Sequence, residues 1–114
     1  MRPTPVDVLE LSRSIDSHYY NASIAAVNDH EIRVSIMTEA YHWHEHPESD
    51  ETFLSVDGGL VIEFPDREFT LRPGQLLTVP AGTIHRTRPV GTRSVNLTFE
   101  RANASSLPSD KLQK

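Results

Sequence analysis

The chain has 114 residues, with 11 lysines and arginines against 16 aspartates and glutamates and no cysteine. That length fits one domain burying about two-thirds of its unfolded surface. The net charge of −5 excludes the basic footprint of a nucleic-acid binder, no apolar run nears the roughly 18 residues of a membrane span, and the lack of thiols excludes a disulfide framework and fits a reducing cytoplasm.

Residues 1–20 read as an N-terminal arm. Met1-Arg2-Pro3-Thr4-Pro5 lacks the apolar run of a signal peptide, in keeping with a cytoplasmic location. Apolar residues at 6, 8, 9, 11 and 15 suit a short helix and an edge strand equally, so both readings stand open. His18 and His30 have no partner motif and are expected on the surface. The β-domain is expected over residues 21–101. Residues 22–27 and 31–37 read as strands joined by Asn28-Asp29-His30. In the second, Ile32, Val34 and Ile36 alternate with Arg33, Ser35 and Met37, the pattern of a half-buried strand.

Tyr41 to His46 is the densest stretch of chemistry. On a strand, residues two apart share a face, so His42, His44 and His46 go together and Tyr41, Trp43 and Glu45 point away. Pro47-Glu48-Ser49-Asp50 is turn-prone. Glu51 opens a strand that reaches Asp57-Gly58, a hairpin signal, and residues 61–64 are expected to return beside it. Phe69 and Leu71 continue the β pattern, and Pro73-Gly74 suits a type II turn. A short apolar strand over 75–79 ends at Pro80-Ala81-Gly82, and His85 follows. Alternation groups Thr87 with His85 and sends Arg86 and Arg88 to the other face, as solvated charges rather than anion clamps. Residues 95–99 form the last strand, and residues 102–114 are expected as a flexible tail. Strands at intervals of roughly ten residues, with turns between, indicate a sandwich or barrel.

His44, His46, Glu51 and His85 supply three imidazoles and one carboxylate at spacings that strands and turns can bring to one point. Such ligands suit a divalent transition metal, Fe, Zn, Mn, Ni or Cu, and the chain offers no thiolate. On a six-coordinate ion they leave two positions for water, substrate or dioxygen. His42 is the candidate catalytic acid–base, on the alternation argument; the other reading is a polar residue satisfied at the barrel mouth. Phe53 and Leu77 read either as cavity wall or as plain core.

The two blocks His44-X-His46-X4-Glu51-X6-Gly58 and Gly74-X5-Pro80-X-Gly82-X2-His85 resemble the paired motifs of the cupin superfamily. The second departs after His85, where the family often has Asn four residues on and this chain has Pro89. Tyr41-His42-Trp43-His44-Glu45-His46, Asp50-Glu51 and Val79-Pro80-Ala81-Gly82 look like small single-domain bacterial cupins, often labelled mannose-6-phosphate isomerase-like. The resemblance implies an all-β fold, an antiparallel double-sheet jelly-roll barrel. It implies His44, His46, Glu51 and His85 as ligands of one divalent metal, a small-molecule ligand or substrate, and a homodimer. It also implies either a metal-dependent enzyme, a dioxygenase or isomerase acting on a small polar organic molecule, or a non-catalytic binding or sensing protein.

Overall fold

In the computed structural model, which describes residues 2–109, Asp7 opens the first element. Its carboxylate accepts the Glu10 N–H at 2.9 Å and caps helix α1, Val8–Arg13, which settles residues 6–15 in favour of a helix. Arg93 donates to the carbonyls of Ser12 and Ile15 at 2.6 and 3.0 Å, satisfying acceptors at the helix's C-terminal end. Strands β1, Tyr19–Val27, and β2, His30–Met37, form a hairpin turned at Asn28, whose φ of 53° is one that Asn tolerates. Strand β1 thus begins within the stretch expected as an arm.

The remaining strands are β3 (His44–Glu45), β4 (Glu51–Asp57), β5 (Leu60–Phe64), β6 (Arg67–Leu71), β7 (Leu76–Val79), β8 (Arg86–Pro89), β9 (Ser94–Arg101) and β10 (Leu107–Pro108). They pair antiparallel into a five-stranded sheet ordered β1-β2-β9-β4-β7, a three-stranded sheet ordered β6-β5-β8, and a small β10-β3 ladder. This is the jelly-roll barrel expected from the sequence.

The Asp57-Gly58 hairpin is not formed. Strand β4 pairs with β7 and β9, whereas β5 pairs with β6 and β8, so the turn carries the chain from one sheet into the other. The Asp-Gly signal correctly marks a reversal through positive φ. A second left-handed residue, Gly59, follows Gly58, with φ values of 79° and 76°. Space also demands glycine at 58, because a Cβ there would lie 2.0 Å from the Arg93 carbonyl oxygen. At Pro73-Gly74 the expected turn forms: Gly74 has φ 92° and the Gln75 N–H reaches Arg72 O at 2.9 Å.

The alternation in β2 is as expected, but its apolar face is the outer one. Val34 and Ile36 join Val95 in a layer that packs with Leu97, Val56, Ile24 and the helix residues Val8 and Leu11. The inner face of the same sheet carries Arg33 and Ser35 beside Met37. A separate inter-sheet core of Met37, Phe53, Leu60, Ile62, Leu71 and Val79 fills one part of the barrel, leaving the rest to a polar cavity. Phe53 therefore serves both expected roles, core and cavity wall, while Leu77 packs against the core and does not line this cavity.

Residues 102–109, expected as a loose tail, turn back onto β3. Leu107 and Pro108 pair with Glu45 and His44, and the Ser109 N–H donates to Trp43 O at 2.9 Å. The rest of the expected tail, 110–114, lies outside the described residues.

Candidate metal centre

His44 and His85 exchange backbone hydrogen bonds of 3.0 and 2.9 Å, a single antiparallel bridge joining the two sequence blocks. Two further bonds fix the Pro80-Ala81-Gly82 turn to the first block: Gly82 N–H to His46 O at 2.9 Å, and Ala81 N–H to the Asp50 carboxylate at 2.9 Å. Glu51 enters as the first residue of β4. The result is a buried group of His44, His46, Glu51 and His85 whose donor atoms lie within 4.8 Å of one another and could hold a metal ion. Ligands about 2.1 Å from one ion lie at most about 4.2 Å apart, so only small adjustments separate the two arrangements.

Each imidazole is oriented by its Nδ1. His44 Nδ1 donates to His42 O at 2.9 Å, His85 Nδ1 to Thr83 O at 2.8 Å, and His46 Nδ1 to Ser105 O at 3.0 Å. A carbonyl only accepts, so all three rings carry the Nδ1 proton and present Nε2 to the centre. There the Nε2 atoms of His46 and His85 stand 3.1 and 3.3 Å from Glu51 Oε1.

The charges follow from this crowding. Burial, reinforced by His85, pushes His44 down to about 4, so it is neutral. Burial would also lower His46, but the Glu51 carboxylate overrides it and holds the ring up at about 9. Burial would raise Glu51, yet the His46 and His85 rings outweigh it and bring the carboxyl to about 2. Glu100 lies 3.8 Å from His46 Nδ1 and has no ring donating to it; burial, with Glu51 nearby, raises it to about 7.

The cavity beside the group has a volume of about 230 Å³, below the usual range for drug-sized ligands. Phe53, Thr87 and Tyr41 line it together with the site residues. Thr87 lies where alternation places it. Tyr41 does not: its ring stands edge-on to His44 at 5.0 Å and stacks with Tyr19 at 5.3 Å, forming an aromatic rim. His42 is exposed, with its ring 4.0 Å from that of Tyr41, and does not line the cavity. Alternation fails for both because regular strand geometry begins only at His44.

Arg86 pairs with Glu63 and lies over Trp43, and Arg88 pairs with Glu63 and Glu68, so neither clamps an anion in the cavity. His18 and His30 are exposed, as expected, against Thr38 and Asp29. Sequence reasoning missed Arg33 and Glu100, which reach the cavity from the polar face of the large sheet, and Ser105, whose carbonyl holds His46. Among the described residues no helix is long and apolar enough to cross a membrane.

Comparison with known proteins bears on the family and the fold. The sequence profile of the cupin domain family matches residues 32–99. The chain is 39% identical over 102 residues to the uncharacterized protein YdbB of Bacillus subtilis (strain 168), covering 89% of both chains. It is 33% identical over 66 residues to the polyketide synthase CurC of Streptomyces cyaneus, covering 58% of this chain and 43% of that one. Among solved structures it resembles a cupin-2 domain protein from Shewanella frigidimarina, with a TM-score of 0.78, 25% identity, and coverage of 84% of this chain and 93% of that one.

Proposed function

The chain belongs to the cupin domain family, and we propose that within it His44, His46, Glu51 and His85 hold one divalent transition metal, Fe, Zn, Mn or Ni, in an enzyme acting on a small polar organic molecule. One observation carries the reading: three buried rings, each committed through Nδ1 to a backbone carbonyl, converge their Nε2 atoms on a buried carboxylate. When bound, such an ion supplies a Lewis acid for isomerising a carbonyl compound, or activation of water or dioxygen. The protein's part is to fix the ligand set, narrow the entrance with Tyr19 and Tyr41, and seat the substrate against Phe53 and the polar inner sheet face.

The second reading, a non-catalytic small-molecule binder, is favoured by the exposed position of His42, which leaves the sequence's candidate catalytic residue outside the cavity. Pairing as a homodimer is part of the proposal. It is supported by an outer sheet face where Leu97 and Val56 are half-buried and Leu76 is 61% exposed. We also assign the protein to the cytoplasm, on the absence of cysteine.

Elemental analysis of protein purified from its own host tests the metal reading. About one transition metal per chain is expected, retained in His18→Ala and lost in His44→Ala, His46→Ala, Glu51→Ala and His85→Ala, each of which removes a bond to the ion. Equal metal in His85→Ala and the parent protein would refute it.

A further inference from the structure

The inner face of the five-stranded sheet is polar in successive cross-strand rows. Glu31 faces Glu100, Arg33 faces Thr98, and Ser35 faces Asn96, with Ser55 on the far side of Asn96. Among the described residues, five buried side-chain atoms lack a hydrogen-bond partner. One is His46 Nε2 in the metal group; the others are Ser55 Oγ, Asn96 Oδ1, Thr98 Oγ1 and Glu100 Oε2, all on this face. Thr98 and Glu100 are 3% and 8% exposed, and both line the cavity. An unpaired buried polar atom costs about 1–3 kcal/mol, and of the four on this wall those of Thr98 and Glu100 border the cavity, so a partner for these two arrives from it. All four can accept a hydrogen bond, and the Glu100 oxygen only accepts when its carboxyl is ionised. The missing partner therefore brings a donor.

Arg33 adds the second half of the chemistry. Its Nε and Nη1 donate to Asn21 and Glu31, which hold the guanidinium against the cavity and leave Nη2 for a ligand. Arg33 is the one permanent cation lining the cavity among the described residues. Its free Nη2 can donate a charge-assisted hydrogen bond to a carboxylate.

We propose that Arg33, Thr98 and Glu100 form a recognition subsite for a small hydroxylated carboxylic acid. The carboxylate of the ligand meets Arg33, and its hydroxyl donates to the Glu100 carboxylate while accepting from the Thr98 hydroxyl. The cavity of about 230 Å³ admits such a molecule. This deepens the metal-dependent reading, since subsite and metal group share one cavity, but the subsite's residues are separate from the four ligands.

The experiment is calorimetric binding of lactate, glycerate, malate and tartrate to zinc-loaded and metal-free protein. Succinate, lacking the hydroxyl, glycerol, lacking the carboxylate, and ethanolamine, a cation, serve as comparisons. At least one hydroxy acid is expected to bind, with succinate and glycerol each about tenfold weaker or worse. Thr98→Val is expected to weaken the hydroxy acid about tenfold with metal content unchanged, and Thr98→Ser to restore it. Arg33→Gln is expected to remove the preference for the carboxylate over glycerol. Thermal melts identify any variant that fails to fold, and Thr98→Ser keeps the test decisive in that case. Equal affinity for malate and succinate, tighter binding of ethanolamine, or no binding by any hydroxy acid in either form would overturn the proposal. A protein that takes up no zinc when offered it, yet binds a hydroxy acid with this pattern, would instead refute the metal reading and leave the subsite standing.

Discussion

Removing residues 104–114 should weaken metal binding without unfolding the barrel. The His46 ring is held by one bond on its far side, from Nδ1–H to Ser105 O at 3.0 Å. The segment supplying that carbonyl is anchored by the Ser105 hydroxyl on Glu48, by the pairing of Leu107 and Pro108 with Glu45 and His44, and by Ser109 N–H to Trp43 O. A stop after Asn103 removes all of these. Neither buried apolar cluster includes a residue beyond Val95, and the half-buried residues packed on them end at Leu97. His44 also keeps its bridge to His85. The loss at the metal group thus falls on the orientation and basicity of His46, beside the loss of Ala104 and Ser106 from the cavity lining. Losing such an outer partner typically costs 10–100-fold in metal affinity, or about 1.4–2.8 kcal/mol. Competition with a chromophoric chelator for zinc measures this directly, with His46→Ala marking complete loss of the ligand. Identical zinc affinities for the truncated and full chains would show that Ser105 does not position His46.

Gly58→Val should destabilise the protein by more than about 2 kcal/mol, seen as a lower thermal midpoint, because strain at a φ of 79° adds to the clash with Arg93 O; an unchanged midpoint would contradict the corner geometry. His42→Ala should leave both metal content and any turnover near parent values, since His44 uses only the backbone carbonyl of His42; a large loss of turnover would return His42 to the site. The metal-free protein should hold a nearly level stability between about pH 4.5 and 6.5, where His44, at about 4 when folded against an ordinary 6.5, loses stability as pH falls while Glu100 loses it as pH rises, and should melt at progressively lower temperature from pH 6.5 to 9. His46, at about 9 when folded against an ordinary 6.5, stabilises fully below pH 6.5 and loses that contribution as pH rises to 9. Glu100, at about 7 against 4.5, acts in the same direction between pH 4.5 and 7, while Glu51, at about 2, keeps its contribution above pH 4.5 and loses it as pH falls towards 2. A melting temperature that rises between pH 6.5 and 9 would refute these assignments. Zinc binding at pH 7 should release about one proton, the one on His46, as measured by calorimetry in two buffers of different ionisation enthalpy.

The sequence exposes some of these features and hides others for definite physical reasons. The metal group is legible because it needs particular side chains, and its turns need glycine or proline at Gly58, Gly74 and Pro80. Pattern alone does not say which face of a strand looks inward. In β2 it separates Val34 and Ile36 from Arg33 and Ser35, and a closed apolar core would put the first pair inside. Here helix α1 covers the apolar face and the cavity takes the polar one, an arrangement set by residues distant in sequence such as Arg93, which binds the helix end. His42 and Tyr41 depart from alternation because it holds only where a ladder holds, and β3 is two residues long. Asp57-Gly58 encodes a reversal but not which sheet receives the chain. The most deeply hidden features are those made by the backbone. The carbonyls of His42, Thr83 and Ser105 choose the tautomer of all three imidazoles, and every residue type has a carbonyl. No composition or spacing marks Ser105 as different from its neighbours. Its role is set by the path of the chain, so truncation, rather than substitution at Ser105, is the perturbation that can reveal it.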